Sequence, residues 1–197
     1  MQQTSIHPIS LTFPSALRLG ERDLLNFRQH NPELLIERSA EGQLNIHPPY
    51  SGTTLRLLSQ VNNLLWNWNS AHKQGLIFDS STAFRLPGGA IYSSGLAWLN
   101  VEKWHGLHPE DRKPFPRICP DVVLEMRARL DLFSDIPLKM HKWKAAGCRL
   151  AWLIDPYNKH AYVYRKDAPG IEVIADFSGV LNGGEVLPGF ELPLKIF

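Results

Sequence analysis

Cysteine is nearly absent: Cys119 and Cys148 are the two in a chain of 197 residues. Their spacing matches no metal-binding pattern and excludes a disulfide scaffold. Each adjoins a predicted strand, so both read as small buried thiols in a reducing compartment. Charge of one sign is also scarce. The net charge is +2, too small to argue for a nucleic-acid partner by itself, although a local basic patch is compatible with it. No apolar run approaches the roughly 18 residues a membrane helix needs. The opening stretch MQQTSIHPISLTFP lacks a basic segment followed by an apolar core, so a secretory signal is not expected. The expected location is the cytoplasm. Neither an internal repeat nor a low-complexity segment is present.

What remains is an ordinary globular composition, with 44% hydrophobic and 20% charged residues. The length suits one domain with a sizeable core. Residues 1–19 read as an extended leader and residues 20–197 as the domain. GERDLLNFRQHNP predicts a short helix ending near Asn31-Pro32. Leu34–Arg38 and Gln43–His47 predict a hairpin turning at Glu41-Gly42. Leu57, Val61, Leu64, Leu65 and Trp68 fall on one helical face, so about Ser51–His72 is an amphipathic helix, with Trp66 off the stripe. LIFDS, TAFRL and IYSSGLAWL are short strands, and residues 100–119 read as a long irregular connection. Asp121–Arg127 is a strand. A helix follows over Asp135–Ala146, with Pro137 in its first turn and Ile136, Met140, Trp143 and Gly147 as its core face. RLAWLI, HAYVYR, IEVIA and the alternating LPGFELPLKIF supply further strands. This order predicts a mixed α/β domain around a central sheet.

The strand at Asp121–Arg127 carries the most chemistry. Alternation puts Asp121, Val123, Glu125 and Arg127 on one face and sends Val122, Leu124 and Met126 into the core. A carboxylate in such a strand needs a partner or a metal. One reading is a Glu125–Arg127 ion pair at a sheet edge. The other is a carboxylate for Mg²⁺ beside a cation for phosphate.

The ordered set LPGG (86–89), Ala97-Trp98, PDVVLE (120–125), Lys139-x-x-x-Trp143-x-x-x-Gly147 and AWLIDP (151–156) resembles the Uma-type restriction-endonuclease family. That family is a branch of the PD-(D/E)XK nucleases. The resemblance runs from about Glu21 to Phe197. It implies a restriction-endonuclease-like core, a mixed central sheet flanked by helices. It also implies hydrolysis of DNA phosphodiesters with Mg²⁺ or Mn²⁺ as cofactor. Carried over by position, Glu37 and Glu125 are the catalytic and metal-binding acids, and Arg127 stands at the lysine position. The acid expected before Leu96-Ala97-Trp98 corresponds to Gly95, and Arg127 cannot act as a base. Asp121 lies about 13 Å along the strand from Glu125, too far to share an ion. Asp79 is a nearer substitute. Arg129, Lys139 and Lys142 are candidates for nucleic-acid binding on a basic surface. His105 and His108 form no recognisable metal set. Two readings stay open: a working endonuclease, and a nuclease fold that binds nucleic acid or protein without cutting. A homodimer is expected only by analogy with enzymes that cut two strands.

Overall fold

The computed structural model describes residues 9–14, 17, 19–128 and 135–197. Its elements follow from local chemistry. The Ser51 hydroxyl accepts from Thr54 N–H at 3.2 Å and starts a long helix, Gly52–His72. Lys73, in the left-handed region with φ of 53°, ends it. Asn100 caps a second, shorter helix at Val101–Gly106 through bonds from the Glu102 and Lys103 amides. The 100–119 segment is therefore not irregular throughout, because that cap, and a 3₁₀ turn at Pro109–Arg112, organise it.

In chain order the elements are β1 (Ile9–Leu11), α1 (Glu21–His30), β2 (Leu35–Arg38), β3 (Leu44–His47), α2 (Gly52–His72), β4 (Gly75–Asp79), β5 (Ala83–Arg85), β6 (Ile91–Ser93) and β7 (Leu96–Asn100). Then come α3 (Val101–Gly106), β8 (Val122–Met126), α4 (Asp135–Ala145), β9 (Leu150–Asp155), β10 (His160–Arg165), β11 (Ile171–Ala175), β12 (Val180–Asn182) and β13 (Glu191–Pro193). They build two larger sheets and a small C-terminal ribbon. The first sheet runs β1-β3-β2-β6-β5 and is antiparallel throughout. The second runs β11-β10-β9-β8-β7-β4, and in it β8 and β9 are parallel. Helix α4 is the crossover that a parallel pair requires. The mixed α/β class read from the sequence is the observed one. Part of the predicted leader is a strand, since Ile9–Leu11 pairs with β3. Residues 1–8, 15, 16 and 18 lie outside the described residues.

Each face of the second sheet is covered. Leu96, Trp98, Val122, Leu124, Met126 and Trp152 pack under α2 and the C-terminal ribbon. Ala97, Val123, Ala151 and Leu153 pack with Met140 and Trp143 of α4. The strand read as having one core face thus has two, and all five residues of β8 are buried. A strand paired parallel under a crossover helix is covered on both sides. The chain passes between the sheets at Ser94-Gly95, which joins β6 of the first to β7 of the second.

One buried polar link fixes α2 to the second sheet. Asn69 Oδ1 accepts from Trp98 Nε1 at 2.9 Å, and its Nδ2 donates to the Gly75 carbonyl at 2.8 Å. Replacing Asn69 by alanine leaves a buried donor and a buried acceptor unpaired. Asn69→Ala is expected to lower stability by about 2–4 kcal/mol, read from a urea midpoint with unchanged slope. A loss below about 0.5 kcal/mol would show that the link contributes little.

Candidate active site

Alternation in β2 turns Ile36 into an apolar cluster with Leu24 and Leu44, and turns Glu37 to the opposite face. The β2–β3 register puts Leu35 opposite His47 and Glu37 opposite Asn45. These side chains line one wall of a cavity of about 300 Å³. The other walls come from Ser93 and Ser94 at the crossing between sheets, Glu125 on β8, and Ile136, Lys139 and Lys142 on α4.

At the base of the cavity two carboxylates meet one ammonium. Lys139 Nζ lies 2.9 Å from Glu37 Oε1 and 3.0 Å from Glu125 Oε1. The Ser93 amide donates to Glu37 Oε1 at 2.9 Å, and Trp143 Nε1 donates to Glu125 Oε1 at 3.1 Å. His47 Nε2 stands 3.3 Å from Glu37 Oε2 and draws the Glu37 pKa down. Glu37 and Glu125 are 3% and 4% exposed, so the three charges interact with little solvent screening.

Burial pulls both carboxyls upward in pKa, and their neighbours decide the outcome. At Glu37 burial is outweighed by the Lys139 ammonium and by His47, and its pKa falls to about 2. At Glu125 burial wins, helped by the Glu37 charge and only partly opposed by Lys139, so its pKa is raised. Burial opposes the Lys139 charge, but the Glu125 and Glu37 carboxylates raise its pKa well above the ordinary lysine range. The site therefore holds a firmly ionised acid, a more basic carboxylate and a fixed cation.

The predicted site residues divide. Glu37 and Glu125, from different sheets, do converge. Arg127 does not join them: its guanidinium reaches Asp155 Oδ2 at 2.9 Å and lies over the Tyr157 ring. Lys139, read as a surface cation, is central. Lys142 lines the same cavity, with Nζ 5.6 Å from the Tyr92 ring centroid. Arg129 lies outside the described residues. His47 and Ser93 were missed by sequence reasoning. Lys139 had a signal in the sequence, because Ile136, Lys139, Met140 and Trp143 share one helical stripe.

The suggested substitute, Asp79, is engaged elsewhere, as is Asp121. Asp79 accepts from the Ser81 amide at 3.0 Å in a local turn. Asp121 pairs with Lys103 and with the Asn100 amide. Gly95 is not a vacant ligand position. A Cβ there would meet the Leu124 carbonyl oxygen at 2.9 Å and Leu58 Cδ2 at 3.0 Å, on the α2 side of the sheet. The adjacent residue that faces the cavity is Ser94, whose hydroxyl donates to the Leu96 carbonyl at 2.9 Å.

Two carboxylates are suitable donors for Mg²⁺ or Mn²⁺. Here, however, Lys139 Nζ occupies the space between them. Among the described residues no group of three His, Cys, Asp or Glu side chains converges on a common point. As arranged, these residues do not fit a divalent ion.

A family model described as Uma2, putative restriction endonuclease, matches residues 22–195. No curated protein matches the chain. Among solved structures, it is similar to a putative nuclease belonging to DUF820 from Anabaena variabilis ATCC 29413. The identity is 16% and the TM-score 0.69, over 82% of this chain and 88% of that one. At that identity the likeness shows a shared fold.

Two predictions rest on this geometry. Because the folded pKa of Glu37 is depressed, its stabilising contribution is present above about pH 4.5 and is lost as pH falls toward about 2. Glu37→Gln is expected to cost about 3 kcal/mol at pH 7, a difference that closes on acidification. Glu125, with a raised pKa, follows the opposite sign, so Glu125→Gln costs less at pH 7. Urea titrations at pH 7, 4 and 2.5 check both, and a Glu37→Gln deficit unchanged across that range would contradict the assignment. Separately, Gly95→Asp is expected to lose about 3 kcal/mol through overpacking and burial of charge, with no gain in calorimetric Mn²⁺ affinity. A stable variant that binds Mn²⁺ more tightly would overturn that reading.

Proposed function

The chain belongs to the Uma2 family of putative restriction endonucleases, and from that premise we propose that it hydrolyses nucleic-acid phosphodiesters, DNA above all, at Glu37, Lys139 and Glu125. The observation that carries this reading is the buried Glu–Lys–Glu contact at the base of an open cavity. Lys139 offers a fixed positive charge where a phosphate gains negative charge as water adds. Glu125, the more basic of the two acids, accepts a proton from that water. The water oxygen bonds to phosphorus, the bond to the leaving ester oxygen breaks, and that oxygen takes a proton from solvent. Glu37 holds Lys139 in place. Lys142 at the cavity wall, and Arg129 outside the described residues, are proposed to contact the phosphate backbone. Mg²⁺ or Mn²⁺ is proposed as the cofactor on the family resemblance alone; with Lys139 between Glu37 and Glu125, no step runs through it. A homodimer would present two such sites to two strands. None of the helices among the described residues is long and apolar enough to cross a membrane.

The same ammonium favours the second reading, a nuclease fold that binds nucleic acid without cutting it, because it fills the space a metal would need. Cleavage assays separate the two. Supercoiled, linear and single-stranded DNA are incubated with Mg²⁺ or Mn²⁺, with EDTA as control. Under the first reading Glu125→Ala and Lys139→Ala each reduce cutting about 100-fold or more, while Arg127→Ala, whose guanidinium lies on Asp155, stays within about threefold of the parent. Retained DNA binding with no cutting under any condition would favour the second.

A further inference from the structure

The floor of the cavity lies deep. Glu37 and Glu125 are 3% and 4% exposed, and the space above them is about 300 Å³. That is at the lower end of the range for pockets that take small ligands. It admits one nucleotide, whereas a duplex, with its phosphates on a broad convex surface, stays at the rim. Enzymes that bring a single nucleotide into such a pocket act on single strands or extrude it from the stack.

Beyond the cavity, the same face of the second sheet carries rings. Glu125 lies beside Leu153 on β9, and Leu153 lies opposite Tyr162 on β10. Two strand spacings make that about 10 Å. Tyr162 packs in the α4 cluster with Ile136, which also lines the cavity. His160 stacks on Tyr162 with centroids 6.2 Å apart, and its Nδ1 stands 2.6 Å from the Asn158 carbonyl oxygen. In the β9–β10 turn Tyr157 is 47% exposed. Its amide donates to Asp155 Oδ1 at 3.1 Å, and the Arg127 guanidinium backs the ring at 5.8 Å from its centroid. Lys142 at the cavity wall and the exposed Lys159 in the turn flank these rings with positive charge. The acid among them, Asp155, is fully buried and paired with Arg127. Fixed rings beside cations suit a single strand, whose bases stack while its phosphates meet the charges.

We infer that Tyr157, His160 and Tyr162 form a stacking track for single-stranded DNA that leads one nucleotide into the cavity. The substrate class of the site is then an unpaired strand and not an intact duplex. The inference rests on the proposed hydrolase for the track's end point, but its test is one of binding.

Binding to the full chain is read by fluorescence anisotropy in EDTA, with a short labelled DNA strand and with the same strand annealed to its complement. The single strand is expected to bind about tenfold more tightly than the duplex. Tyr157→Ala, in an exposed turn, should weaken strand binding about tenfold and leave duplex binding within about twofold. Tyr157→Phe keeps the ring and should stay within about twofold of the parent. Because no charge is removed, the salt dependence of strand binding is expected to be the same in Tyr157→Ala as in the parent. Equal or tighter binding of the duplex by the parent overturns the inference. So does a Tyr157→Ala variant that loses nothing, or a Tyr157→Phe variant that loses as much as Tyr157→Ala. Cutting that needs Glu125 and Lys139, on a duplex bound more tightly than the strand, would leave the proposed hydrolysis standing and refute the track. A strand preference that Tyr157→Ala abolishes, in a protein that cuts nothing, would do the reverse.

Discussion

The ammonium of Lys139 joins three parts of the molecule through two buried ion pairs. Glu37 arrives on β2 of the first sheet, Glu125 on β8 of the second, and Lys139 on the helix that crosses over it. Without that charge, two nearly dry carboxylates would face each other across the cavity. Breaking a buried ion pair costs more than the pair contributes relative to an apolar substitute, because the remaining charge stays buried and uncompensated. The arrangement is thus weak support for stability and strong support for a purpose. Trp143 and the Ser93 amide, which bond to the acids as well, orient carboxylates that apolar side chains could have replaced.

The crossing at Ser94-Gly95 is the second constraint. The chain leaves the first sheet and enters the second within two residues, close beneath α2, and the Leu124 carbonyl leaves no space for a Cβ at residue 95. Glycine there serves the crossing, not the chemistry. Ser94 turns to the cavity, and the Ser93 amide, one residue earlier, anchors Glu37.

Much of this was legible in the sequence. The 3.6-residue stripe of α2, the alternation in β2 and the apolar run of β8 each set an element and the face it buries. Glu125 could be singled out because an acid is costly in such a strand, and Glu37 through the family resemblance. Other features depended on distant parts of the chain. Lys139 reads as solvated when paired with Lys142, yet it sits on the Ile136–Met140–Trp143 stripe, and only the sheet beneath shows that a charge can be met there. Asp121 and Arg127 share a face with Glu125 by alternation, and Arg127 looked like its partner. Their actual partners, Lys103 and Asp155, come from other elements. Gly95 looked like a lost ligand because a linear motif does not reveal which side of a sheet crossing a residue faces.

Why the cation comes from a helix and not from β8 follows from strand register. In the parallel β8–β9 pair, Met126 lies beside Ile154, and the Arg127 amide bonds to the Ile154 carbonyl at 2.9 Å. Arg127 therefore emerges next to Asp155, which is fully buried and also accepts from the Tyr157 and Asn158 amides. A buried carboxylate at the next register position holds a guanidinium more firmly than an open cavity can, and the Tyr157 ring adds a favourable face for it. With Arg127 committed to that turn, β8 has no cation of its own for Glu125. The crossover helix that makes the parallel pair possible lies directly over that strand, and one more residue on its inward stripe, Lys139, supplies the charge. The same topology that takes the strand's arginine away thus brings the helix's lysine in.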